Sequence, residues 1–182
     1  MSLLEPDKYF SRISHIDLER DLLSLGIKHV LLDIDNTILT RDTHEIPRDV
    51  GVWMGRARDA GIELCLVSNN WHASVHELAA EIDLPIVGKS MKPLPHGFFL
   101  GMRKVGGKRA DTVMVGDQMA TDVLGAHLIG MKVYMVQPLV EKDLPHTLLM
   151  RNFERAILGD RATEPLTPAC RNIVEAALAE EC

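Results

Sequence analysis

A chain of 182 residues with 46% hydrophobic composition is long enough for one α/β domain with a sizeable core and needs no second domain. Its net charge of −6 argues against nonspecific nucleic-acid binding as the main task, though a locally positive site still suits an anionic substrate. Three cysteines show no paired framework or metal-ligand spacing. They imply a reducing, cytoplasmic setting.

Residues 1–16 begin without the basic-then-apolar order of a signal peptide, because Glu5 and Asp7 fall inside them. No apolar run approaches the length of a membrane span. Leu3, Leu4, Tyr9, Phe10, Ile13 and Ile16 have rough helical spacing broken by Pro6, which reads as an arm packed over the core. The sharper reading is a contact with a membrane surface or a partner. Asp17 suits the cap of a short helix through Leu25, stopped by Gly26.

The first strand is expected from about Ile27 to Ile34, nearly all apolar before the aspartates as in a strand buried on both faces. It runs into Asp33-Ile34-Asp35-Asn36-Thr37. Strand alternation sets the two aspartates on one side of the backbone, where they repel unless a cation lies near. The plainer reading is a strand entering an Asx turn. After a polar loop, Pro47 opens a helix that ends before Gly61, and a second buried strand, Ile62 to Val67, stops at Ser68-Asn69-Asn70.

A helix from about His72 to Ile82 and a short strand near Pro85 to Val87 follow. A loop then carries Lys89 and Lys92, and a helix runs from about His96 to Val105. A fourth strand, Thr112 to Val115, ends at Gly116-Asp117. A helix through Ile129 leads to a fifth strand, Lys132 to Val136. Helices from about His146 to Leu158 and Thr167 to Glu180 close the chain.

Alternating strands and helices imply a parallel sheet with right-handed crossovers, and ligands bind such sheets at the carboxyl ends of the strands. Asp33 and Asp35, Ser68 and Asp117 each lie at or just beyond such an end. Taken singly, Ser68 is an ordinary turn residue, Lys92 a solvated lysine and Asp117 a helix cap. As an ordered set they converge on one edge.

The order Asp33-Ile34-Asp35-Asn36-Thr37, Ser68, Lys92, Gly116-Asp117 with Asp122 beyond resembles the haloacid dehalogenase (HAD) superfamily over residues 27–136. The resemblance implies a Rossmann-like three-layer sandwich whose five-stranded parallel sheet has the first motif strand at its centre. It implies Asp33 as nucleophile forming an aspartyl-phosphate, and Asp35 as general acid and then base. It further implies Mg²⁺ held by the Asp33 carboxylate, the Asp35 backbone carbonyl and the Asp117 carboxylate, with Asp122 holding a metal-bound water or Lys92. Ser68 and the Asn69 backbone N–H would donate to phosphoryl oxygens. Lys92, which precedes a proline as in the family's motif, is preferred to Lys89 as the neutralising cation. An aspartate at position 35 favours phosphate-ester hydrolysis over dehalogenation.

Only about thirty residues separate Asp35 from Ser68, and fewer separate Ser68 from Lys92, so neither interval holds a lid domain. An open site suits a substrate whose bulk lies outside it, such as a protein, a lipid or a nucleic-acid end, or a partner copy serving as the lid. Pro6-Asp7-Tyr9, Asp35-Asn36-Thr37, Ser68-Asn69-Asn70, Lys92-Pro93, Gly116-Asp117-Gln118, Thr121-Asp122, Arg151 and Glu154-Arg155 resemble a capless subfamily. That subfamily, of the IIIA type, includes phosphatidylglycerophosphate phosphatases. The match spans residues 6–158 and leaves 159–182 as a helical tail. It implies a phospholipid substrate and peripheral contact with the inner face of a membrane. Loop 137–145 follows the fifth strand and so falls at the active-site edge, where it, Arg151 and Arg155 are candidate lipid-facing groups; the plainer reading is ordinary packing with a solvated face. A soluble-metabolite phosphatase capped by a homo-oligomer and a non-catalytic binding module are the competing readings.

Overall fold

The computed structural model describes residues 2–40, 43–140, 157–159 and 161–179. The expected positions Arg151, Glu154 and Arg155, most of the helix near 146–158 and residues 141–145 of the proposed lipid-facing loop lie outside them.

Among the described residues, six parallel strands form one sheet: β1 (Lys8–Phe10), β2 (His29–Leu32), β3 (Glu63–Val67), β4 (Ile86–Val87), β5 (Thr112–Gly116) and β6 (Lys132–Val136). Their order is β1-β6-β5-β2-β3-β4, so the strand leading to Asp33 lies inside the sheet between β3 and β5. Five strands follow the sequence expectation, and the sixth departs from it. β1 comes from the segment read as a packing arm, and it pairs in register with Tyr134–Val136 at the edge of β6. Three residues are too few to display a period of two. What makes them a strand is the open edge of β6, not their own pattern.

Around the sheet lie α1 (Arg48–Asp59), α2 (Ala73–Glu81), α3 (Pro95–Val105), α4 (Leu124–Leu128) and α5 (Pro168–Ala179). The central strands alternate between two cores, as a doubly covered sheet requires. Val30, Leu32, Leu64, Leu66, Val113 and Val115 pack with Val50 and Trp53 of α1 and Val75 of α2. Leu31, Cys65, Val67 and Met114 face the other way, toward Phe98 and Met102 of α3 and Ala126 of α4. Cys65 is a free, buried thiol whose pKa burial pushes up to about 12, so it packs as a small hydrophobe. Trp53 is fully buried, and its Nε1 donates to the Ile16 carbonyl at 2.8 Å. That bond ties the N-terminal segment to α1.

The segment after Asp17 is not the regular α-helix that its capping signal suggests. Asp17 does accept from the Glu19 and Arg20 N–H groups at 3.1 and 2.9 Å. Beyond it, a π-helical turn (Leu18–Leu22) passes into a 3₁₀ turn (Leu23–Leu25), and Gly26 ends the run at φ 73°. The buried Asp21 carboxylate draws this turn together. It accepts from Lys8 at 2.6 Å, from Arg20 at 2.8 Å and from the Asp17 N–H at 2.8 Å. These contacts bind β1 to the turn. The helix expected through Ile129 likewise begins as a π-helical turn (Met119–Val123) before α4.

Burial opposes ionisation of Asp21, but the hydrogen bonds from Arg20, Lys8 and the Asp17 N–H outweigh it and hold the carboxyl below its usual range. A depressed carboxyl contributes stability that is complete above the unfolded pKa and lost as pH falls through the folded one. Asp21→Asn should therefore cost about 1–3 kcal/mol in urea unfolding at pH 7. The gap to wild type should narrow as pH is taken below 3.8, the ordinary value for this group.

Candidate active site

The site forms where β2, β3 and β5 end. Asp33 extends β2 by one residue, its N–H donating to the Val115 carbonyl at 2.9 Å. The chain then turns sharply. Asn36 takes the left-handed conformation at φ 67°, which asparagine tolerates better than most residues. Its N–H donates to the Leu39 carbonyl at 2.8 Å, and the Ile38 N–H donates to Ile34 at 3.1 Å. This turn leaves Asp33 nearly buried and Asp35 partly exposed.

Lys92 comes from the loop between β4 and α3. Its Nζ lies 2.5 Å from Asp33 Oδ1 and 2.7 Å from Asp122 Oδ1, and all three side chains are buried. Carboxylate oxygens of Asp33, Asp117 and Asp122 lie within 4.8 Å of one another. Asp122 reaches this cluster because Gly116 has no side chain: a Cβ there would come within 2.2 Å of Asp122 Oδ2. The same carboxylate accepts from the Gln118 N–H at 3.1 Å, which secures the turn after β5.

The Lys92 loop is held in turn by Asn69. The Asn69 side chain accepts from the Lys92 N–H at 2.7 Å and from Ser90 Oγ at 2.9 Å, and it donates to the Lys92 carbonyl at 3.0 Å. Gly97 of α3 lets Ser90 press close, since a Cβ there would meet Ser90 Cβ at 2.6 Å. Ser68 is buried at the end of β3; its Oγ accepts from the Asn70 N–H at 2.9 Å and makes a long 3.4 Å contact to Asp35 Oδ2. Thr37 is buried beside these groups, and its Oγ1 has no hydrogen-bond partner among the described residues.

All eight residues singled out from the sequence, Asp33, Asp35, Thr37, Ser68, Asn69, Lys92, Asp117 and Asp122, thus lie at this edge of the sheet. Lys89, the alternative to Lys92, is exposed instead, with its Nζ 5.4 Å from the Trp71 ring centre. Two features were missed. The Asn69 side chain is a clamp on the lysine loop, where only its backbone N–H drew attention. The Asn36 side chain donates to the Val140 carbonyl at 3.1 Å and accepts from the Val140 N–H at 3.2 Å, fastening the segment after β6 to the first motif. The adjacency of Asn36 to Asp35 was the available signal.

The electrostatics follow from one buried ammonium shared by Asp33 and Asp122, with the Asp117 carboxylate close by. Burial opposes the Lys92 charge, but Asp122 and Asp33 more than compensate and keep it protonated. For Asp33, burial is the largest influence and pushes the carboxyl up to about 7; Lys92 pulls it down, and Asp122 and Asp35 push it up again. Asp33 Oδ2 is buried without a hydrogen-bond partner among the described residues. An orphaned carboxylate oxygen within an excess of buried negative charge fits an oxygen-preferring divalent cation. Asp33 and Asp117 would supply side-chain ligands, and Asp122 is placed to support them.

The chain matches the family model described as HAD-hydrolase-like over residues 90–142. It is 31% identical over 154 residues to the probable phosphatase YqeG of Bacillus subtilis strain 168, spanning 85% of this chain and 89% of that protein. Among solved structures, an uncharacterized protein from Corynebacterium glutamicum superposes with a TM-score of 0.52 at 16% identity, covering 76% of this chain and all (100%) of its own. A hypothetical protein from Xanthomonas campestris superposes with a TM-score of 0.51 at 15% identity, covering 91% and 90% of the two chains. At such identities the two structures speak to the fold alone.

Chelator-treated protein should lose stability as pH rises from about 4 toward 7, because the folded chain holds the Asp33 proton that the unfolded chain has released. Denaturant titrations across that range should show the slope, and Asp33→Asn should flatten it. Gly116→Ala should cost about 1–3 kcal/mol in the same assay, since Asp122 must move away from a new methyl group.

Proposed function

The chain belongs to the HAD-like hydrolases and is a phosphatase, and from this we propose that it cleaves phosphate monoesters through a phosphorylated Asp33, with Mg²⁺ in the carboxylate cluster. The observation that carries the reading is the buried Lys92 ammonium shared by Asp33 and Asp122 beside Asp117. A phosphoryl group is an anion that repels a carboxylate nucleophile, so fixed positive charge must stand beside the attacking oxygen. Lys92 supplies it and screens Asp33 from its acidic neighbours. When bound, the metal would neutralise phosphoryl charge and help align the group with Asp33.

In this mechanism an Asp33 oxygen attacks phosphorus while the bond to the alcohol oxygen breaks, and Asp35 gives that oxygen a proton. Water then attacks the phosphorus of the aspartyl-phosphate, Asp35 takes the water's proton, and phosphate leaves with the Asp33 carboxylate restored. Ser68 Oγ lies near Asp35 and would turn its hydroxyl to a phosphoryl oxygen. The partial exposure of Asp35 suits a group that meets both the leaving alcohol and water.

We read the substrate as a lipid phosphate, phosphatidylglycerophosphate, converted to phosphatidylglycerol. The subfamily resemblance suggests it, and the rim of the site favours it. The described intervals between Asp35 and Ser68, and between Ser68 and Lys92, contain no lid domain. Trp71, Met91 and Leu94, on the two loops that carry Ser68 and Lys92, are 67%, 50% and 56% exposed. Tryptophan and lysine side chains together suit the boundary between lipid and water. No helix among the described residues is long and apolar enough to cross a membrane, so this reading makes the protein a peripheral visitor at the cytoplasmic face. The same apolar rim could instead seat a second copy as a lid over a soluble substrate.

Purified protein should release phosphate from phosphatidylglycerophosphate in mixed micelles when Mg²⁺ is present and stop when it is chelated. Asp33→Asn should lower the rate at least about 10³-fold with an unchanged circular-dichroism spectrum. Rapid turnover of sugar phosphates or nucleotides without turnover of the lipid would refute the lipid assignment, and a dimeric mass in solution would then favour the capped soluble enzyme. Equal rates for wild type and Asp33→Asn would remove the site itself from the chemistry.

A further inference from the structure

A cavity of about 300 Å³ opens beside Asp35, lined by that residue together with Leu39, Asn70, His72, Glu77 and Glu81, among others. We propose that it seats the first carbons of the leaving alcohol and selects a hydroxyl-bearing, uncharged segment there. The inference rests on the phosphatase mechanism above and specifies the substrate side of the same site.

The position of the cavity follows from the division of labour between the aspartates. Asp33, Lys92, Asp117 and Asp122 are buried together around the phosphoryl position and do not line it, whereas Asp35 does. A group that protonates the leaving oxygen must face that oxygen, so the atoms next to it extend to the Asp35 side. A cavity opens there, at the lower end of the size of ligand sites. It has room for a short polyol stretch.

Its chemistry is one-sided. Glu77 and Glu81 lie one turn apart on α2, so both carboxylates stand on the same helical face. No lysine or arginine lines the cavity among the described residues. Hydroxyl groups can donate to these carboxylates and exchange hydrogen bonds with Asn70 and His72, while Leu39 and Leu78 cover the carbon chain. A carboxylate or second phosphate in the same place would meet the Glu77 and Glu81 carboxylates and, besides His44 and His72, no basic side chain among the described lining residues. The glycerol unit next to the terminal phosphate of the proposed lipid meets this requirement, because its own charge lies farther along.

Glycerol 3-phosphate and 3-phosphoglycerate differ there only in a hydroxymethyl group against a carboxylate. With Mg²⁺ at pH 8, kcat/KM should favour glycerol 3-phosphate at least tenfold. Glu77→Gln/Glu81→Gln should narrow the gap at least fivefold, mainly by lowering KM for phosphoglycerate. The single variants, Glu77→Gln and Glu81→Gln, each shifting the ratio in the same direction, keep the test decisive should the double variant fold poorly. p-Nitrophenyl phosphate serves as the reference ester. If it is hydrolysed while the two test esters are treated alike, while glycerol phosphate is not turned over, or while the variants leave the gap unchanged, the cavity assignment falls and the phosphatase mechanism stands. If no ester at all is hydrolysed, the mechanism fails first and takes the cavity with it.

Discussion

Lys92 sits between Asp33 and Asp122 with its charge almost wholly out of water, and much of the surrounding architecture exists to keep it there. A buried ammonium is costly unless its partners are close and fixed. Asp33 is fixed by strand pairing to β5, and Asp122 by the glycine that admits it and by the Gln118 N–H. Lys92 itself is fixed through its backbone by Asn69. Each partner comes from a different strand end, so the pairing also locks the register of the loops against one another.

That arrangement leaves the carboxylates in excess, and the excess is useful. Burial, with the Asp122 and Asp35 charges nearby, outweighs Lys92 and raises the Asp33 carboxyl, and Asp33 Oδ2 has no hydrogen-bond partner among the described residues. The same imbalance that would make the site a liability in an empty protein makes it receptive to a divalent cation and then to an anionic phosphoryl group. Asp35, one residue from the turn at Asn36, escapes this crowding. It sits partly exposed at the rim, beside the cavity that it lines.

Most of the scaffold, and the gathering of polar side chains at one edge of the sheet, were legible because both are written locally. An apolar run ending in Asp33-Ile34-Asp35 shows a strand and its functional end in one glance, and Ser68 and Gly116-Asp117 repeat the pattern. The first strand of the sheet was not legible. Lys8–Phe10 is a strand only because β6 offers an unpaired edge. The irregular turn after Asp17 is similar, since it depends on Asp21 meeting Lys8 across a distance in sequence. The clamping roles of Asn69 and Asn36 were hidden for the same reason: each bonds to a segment more than twenty residues away.

By itself, the order of residues determined the alternation of strands and helices, the edge at which polar groups gather, and the acidic and basic identities that phosphoryl chemistry needs. Those depend on periodicity and on side-chain type, which are properties of short stretches. Only the tertiary structure decided that Lys92 and not Lys89 reaches Asp33, that Asp122 joins the carboxylate cluster, and that a cavity with two glutamates opens on the Asp35 side. Those are distances between strand ends brought together by the sheet; a local pattern such as Lys92-Pro93 can favour one residue but does not set the distance.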